Sequence, residues 1–295
     1  MQFKLSIPYP PVPEGGYWGV PTSTIDWCEE NYVVSPYIAE AVNTTTNSGF
    51  IALAGYTLYN IYKHKHDTHF IFVALGFLTV GVGSWMFHMS LLYEYQLLDE
   101  LPMIYATCVP YWIVFSHGRN QSGSRRVAAQ ITAAALILTA IYLHYRDPTI
   151  HQAAYGILNL IIIIKCYLLS KSECNDPVAR KKMTLLGLSG IASFVVGWLL
   201  WNIDIHLCNF WRFTRREIGM PWGFFLEGHG WWHLLTGYGV YFCVVYLEYL
   251  GLYLKHNGEE KFYELKWTFG ILPHLDLKPG VIFDKSSFSS PRAEN

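Results

Sequence analysis

Charge is scarce in this sequence. Only 15% of its residues are Asp, Glu, Lys or Arg, against about 25% in an ordinary soluble domain. Hydrophobic residues make up 52%, so the shortfall points to a membrane protein. The net charge is −1, which excludes the strongly basic surface that nucleic-acid binding requires. A cleavable signal is not expected either. Residues 1–19 are rich in Pro and Gly and lack an apolar core. The first spanning helix is then expected to act as the targeting signal. No internal repeat is present.

What the chain does have is long apolar runs. Spans of roughly 20 residues fall at 41–62, 70–89, 97–115, 127–145, 151–169, 185–207 and 231–254. The expected fold class is therefore an all-α membrane protein, a seven-transmembrane-helix bundle. The third span is the weakest. Asp99 and Glu100 stand at its start, Pro102 suits a first-turn position, and Pro110 should kink it.

Three regions follow: a lumenal N-terminal segment 1–40, the bundle 41–254, and a polar C-terminal tail 255–295 whose end, 286–295, is expected to be disordered. Lys and Arg gather on one set of loops (Lys63, Lys65, Arg119, Arg125, Arg126, Lys171, Arg180, Lys181, Lys182) and in the tail. That side is expected to be cytosolic, with the N-terminus lumenal. The cluster Arg212, Arg215, Arg216 on the other side runs against this orientation.

Histidine marks the chemistry. His88 lies near the end of the apolar run 70–89, where an ionisable group is costly and usually faces the bundle interior. His229 and His233 open the last span at i and i+4, on one helical face. The second helix ends in the leaflet where the seventh begins, so the three rings can share one zinc and leave a fourth position for water. Ser84 sits one turn before His88. Asp99, Asp204 and His206 belong to the same leaflet. A lone interfacial histidine is more often a packing or snorkelling residue, and the clustering argues against that here. The lysine-flanked His64, His66 and His69 read instead as a solvated linker.

Two further patterns lie on the lumenal side. Asp26, Glu29, Glu30, Asn31 and Glu40 are oxygen donors at irregular spacing, suited either to calcium or to plain helix capping. Cys28 and Cys208 share that compartment, where a disulfide is permitted and two free thiols are the alternative. Cys108, Cys166 and Cys243 fall inside spans, and Cys174 in a cytosolic loop.

These stretches resemble the alkaline ceramidases, within the wider group of seven-helix membrane hydrolases that includes the adiponectin receptors. The matching segments are GVPTSTIDWCEENY (19–32), YIAE (37–40), GSWMFHM (83–89), QLLDELPMIY (96–105), WNID (201–204) and HGWWHLLTG (229–237). The resemblance implies zinc on His88, His229 and His233, with Ser84 and Asp99 catalytic. It also implies calcium on Asp26, the Trp27 carbonyl, Glu29, Asn31 and Glu40, and a Cys28–Cys208 disulfide. It implies hydrolysis of ceramide, dihydroceramide or phytoceramide to a sphingoid base and a fatty acid, with the reverse synthesis open. The membrane lipid is thus the expected partner and the endoplasmic reticulum, ahead of the Golgi, the expected site. The rival reading is a seven-helix receptor or transporter with a structural zinc. A transporter is expected to show paired interrupted helices, of which the chain has one candidate, at Pro102 and Pro110.

Overall fold

The computed structural model describes residues 6–281, so the segment 286–295 and Lys4 lie outside the described residues. Among the described residues there are eight α-helices: α1 (Ala41–Lys63), α2 (His69–Ser90), α3 (Tyr93–Ser116), α4 (Gln121–Tyr145), α5 (Pro148–Glu173), α6 (Pro177–His206), the short α7 (Cys208–Ile218) and α8 (Gly228–Leu254). The seven expected spans fall on α1–α6 and α8. Five of these, α2, α4, α5, α6 and α8, are long and apolar enough to cross a membrane. α1 and α3 are long but more polar. Their polar residues, among them Asn43, Thr44, Asn47, Gln96 and Glu100, are buried in the bundle rather than turned outward.

Several helices start earlier than their apolar runs because a cap sets the start. Asp176 accepts from the Val178 N–H, with Pro177 at the first position, so α6 includes Arg180, Lys181 and Lys182. Asn120 caps α4 and Asp147 caps α5 in the same way. α3 begins at Tyr93, so Pro102 stands in its interior rather than in its first turn.

α8 is the hub. It packs against α6, α1 and α5 and is the most buried of the candidate spans. α6 and α8 cross at Gly190 and Gly239, where each backbone carbonyl occupies the space a side chain would need on the other. α4, α5 and α6 show apolar residues such as Ile137, Leu160, Ile164, Leu188 and Trp198 on their outer faces, as lipid contact demands.

The segment 255–281 is more ordered than its composition implies. It forms an antiparallel hairpin of β1 (Tyr263–Thr268) and β2 (Leu272–Leu277). The hairpin docks on α8 and on the α1–α2 loop. There His64 and His66 are buried, not solvated as expected. His66 faces an acceptor on each ring nitrogen: the Leu275 carbonyl at 2.9 Å and Glu248 at 3.2 Å. Burial disfavours its charge, but Glu248 outweighs burial and raises its pKa. His64 lies 2.8 Å from Asp276, yet burial wins and lowers its pKa to about 4. Lysine neighbours in the sequence suggested water. The acceptors that decide the matter come from more than 180 residues away.

Candidate metal centre

His88, His229 and His233 are brought together. One ligand atom from each lies within 4.8 Å of the other two, and all three residues are buried. The ring centroids are 4.5–5.0 Å apart. Two rings have one nitrogen already committed. His88 Nδ1 lies 2.5 Å from Glu40 Oε2, and His233 Nδ1 lies 3.0 Å from Thr46 Oγ1. Such bonds fix the ring and its tautomer and leave Nε2 for an ion. Asn47 Nδ2 adds a contact to His233 Nδ1 at 3.3 Å. His229 stacks on Trp27, with centroids 4.3 Å apart, and its buried Nδ1 has no partner. An unpaired buried nitrogen among three convergent imidazoles is a donor set that fits zinc.

The backbone around His229 is clamped. Asp204 Oδ2 accepts from the His229 N–H at 3.3 Å, and its Oδ1 accepts from Arg215 at 2.8 Å. Arg215, fully buried, also pairs with Glu227 at 2.9 Å and donates to the Cys28 carbonyl at 3.1 Å. So this arginine, part of the cluster that opposed the expected orientation, is matched by two carboxylates. Arg216 likewise pairs with Glu30 at 2.8 Å. Cys28 and Cys208 form a disulfide with Cα atoms 5.4 Å apart, tying the N-terminal segment to the start of α7.

Ser84 is buried on the His88 face of α2 and interacts with Asp99 on α3. α3 can come this close because position 83 is glycine. A side chain there would run into the Leu98 carbonyl and the Asp99 nitrogen. His206 is set apart, its ring bonded to the Asn202 carbonyl of its own helix.

The acidic loop packs directly against this centre. Glu29 accepts from the Val42 and Asn43 N–H groups at 2.7 and 2.8 Å, so it caps α1. The Trp27 carbonyl accepts from Arg212 at 3.2 Å. Asn31 Nδ2 reaches Asp26 at 3.5 Å, while Asn31 Oδ1 and Glu40 Oε1 are buried without a partner. Burial and the neighbouring Glu40 push Glu29 far above the usual carboxylate range, and burial does the same to Glu40. Buried acids and orphaned oxygens fit a hard cation.

A family model described as Ceramidase matches residues 19–276, nearly the whole chain. The chain belongs to the alkaline ceramidase family. Alkaline ceramidase YPC1 of Saccharomyces cerevisiae is 42% identical over 289 residues, covering 94% of this chain and 90% of the relative. Alkaline ceramidase 3 of Mus musculus is 36% identical over 273 residues, 92% of this chain and 98% of the relative. Alkaline ceramidase of Arabidopsis thaliana is 24% identical over 263 residues. The family match includes every residue placed around the three histidines above.

Sequence reasoning placed Asp204 in the leaflet of the three histidines but did not single out Thr46, Asn47 or Arg215 as supports of the rings. A signal for two of them was present: the polar run Asn43 to Ser48 inside an otherwise apolar helix. Glu40→Gln should weaken the affinity of the three histidines for a metal ion about 10–100-fold, since the carboxylate bonded to His88 orients the ring and raises its basicity. α1 should survive, because Glu29 rather than the Glu40 side chain caps it. Competition against a fluorescent chelator measures this, and an unchanged affinity would remove Glu40 from the centre.

Proposed function

We propose that this protein is an intramembrane amidase that cleaves ceramide into a sphingoid base and a free fatty acid. The observation that carries the reading is the meeting of three buried imidazoles beside the Ser84–Asp99 pair in a chain of the ceramidase family. His88, His229 and His233 would hold zinc. When bound, zinc supplies a Lewis acid for the amide carbonyl and lowers the pKa of water to about 7. Asp99 takes a proton from the attacking water and delivers it to the leaving sphingoid nitrogen. Ser84 donates to the carbonyl oxygen as negative charge builds there. The same groups serve the reverse condensation when water is scarce.

The chemistry suits the place. The histidine end of the bundle is covered by residues 6–40, while the outer faces of α4–α6 are apolar and open to lipid. Ceramide can stay in the bilayer while its headgroup-level amide reaches the centre. On this reading seven helices span the membrane and 255–295 is a cytosolic appendage. The N-terminal side is lumenal, in the endoplasmic reticulum. Calcium on Asp26, the Trp27 carbonyl, Glu29, Asn31 and Glu40 would order the covering loop, and through Glu40 its occupancy is felt at His88.

The experiment is fatty-acid release from C18–C26 ceramides by the purified full-length chain in detergent micelles. Release at a catalytic rate is expected. Ceramide binding or uptake without cleavage would overturn the amidase in favour of a receptor or transporter.

A further inference from the structure

At the other end of the bundle, three chemically matched side chains from three elements converge. His117 follows the last residue of α3, Glu173 is the last residue of α5, and His256 lies two residues past α8. One ligand atom from each falls within 4.8 Å of the other two. Glu173 faces both rings at once, with Oε1 3.6 Å from His117 Nε2 and Oε2 3.2 Å from His256 Nε2. The two rings are 5.8 Å apart.

We propose that His117, Glu173 and His256 form a second divalent transition-metal site, of zinc type, that staples the ends of α3, α5 and α8. Metal–ligand bonds of about 2.0–2.2 Å at tetrahedral angles separate ligand atoms by roughly 3.3 Å, close to both histidine–glutamate distances here. Two imidazoles and one carboxylate favour zinc or a similar ion over calcium or magnesium, which take all-oxygen sets. The backbone contributes as well. His256 adopts a left-handed conformation, φ 52°, which a residue with a side chain rarely holds, and it adopts it at the position that brings the ring to Glu173.

This site is separate from the one around His88. α8 spans 27 residues, so His229 and His256 are about 40 Å apart along it. Access differs too. The side chains of His117, Glu173 and His256 are 18%, 23% and 57% exposed, so the ion exchanges with water instead of being sealed in. Its coordination is completed by solvent. A histidine–glutamate ion pair without metal is the competing account of the same geometry. It needs protonated rings, whereas the metal takes them neutral.

The test uses the full-length chain in micelles and zinc alone as probe. Zinc-saturated wild type should hold one ion more than the His117→Ala/His256→Ala variant, which keeps the His88 centre and its ceramide hydrolysis. With the His88 centre of both proteins already loaded, further micromolar zinc should raise the unfolding midpoint of the wild type on the order of 5 °C and leave the variant unmoved. Glu173→Gln, which preserves the shape of the side chain, should lose the same response. Protection is the second readout and needs no variant. Zinc should slow carbethoxylation of His117 and His256, read by peptide mass spectrometry, at least tenfold. Equal zinc content and equal midpoint shifts in wild type and variant, or unprotected histidines in the wild type, would overturn the proposal and leave the ion pair.

Discussion

His233→Ala is expected to lower fatty-acid release by about three orders of magnitude or more, with loss of the metal ion proposed for the buried trio. The choice among the three histidines follows from their surroundings. Removing His88 would also strand the buried Glu40 carboxylate at its 2.5 Å contact, adding a folding penalty. Removing His229 would empty the stack against Trp27 beside the Asp204–Arg215 clamp. His233 leaves only Thr46 and Asn47, neutral groups that also bond to backbone carbonyls of their own helix. His233→Ala therefore comes nearest to removing a ligand without disturbing the fold. Metal content of the purified variant should fall by one ion relative to wild type. Prolonged chelation of the wild type should give the same loss of rate, reversed by added zinc. Activity of His233→Ala within tenfold of wild type would mean that this trio does not hold the catalytic ion.

Most of the helical architecture was legible in the sequence because lipid imposes a simple rule: about 20 apolar residues for each crossing. The rule weakens where helices face inward. α1 and α3 read as less apolar because they bury polar residues against neighbouring elements: Thr46 and Asn47 on α1 contact His233, while Gln96 and Glu100 on α3 bond to Tyr142 of α4. The histidines were legible because imidazoles are rare and costly in apolar runs. Their supports were not. Glu40 could be seen as an oxygen donor, but not that it reaches His88 48 positions away. Arg215 counted as loop charge until Asp204 and Glu227 were seen on either side of it. The hairpin at 263–277 escaped notice for a related reason. Its alternation is short, and its partners, His64 and His66, precede it by about 200 residues. Long-range pairing of polar groups has no local pattern, whereas spanning helices and capped helix starts do.

Asp99→Asn should cost about 10²–10⁴ in rate while leaving zinc in place, the range for loss of a positioned general acid–base. The substitution keeps the shape of the side chain and an oxygen that accepts from Ser84, so α2 and α3 can still meet at Gly83. What disappears is the ability to take a proton and return it. Ser84→Ala should cost less, about 10²-fold, as one lost donor to developing charge. The double variant separates the two roles. If Ser84 serves only to hold Asp99, the pair will be no slower than Asp99→Asn alone. If Ser84 acts on the carbonyl oxygen, the two losses will multiply. Asp99→Asn turning over within threefold of wild type, at full zinc content, would place the proton transfer on another group. Buried Glu100 is the next residue of the chain, but it is bonded to Tyr142 and Gln96 between α3 and α4. Asp99, which interacts with Ser84 on the helix that carries His88, is therefore the α3 carboxylate to which the proton transfer is assigned.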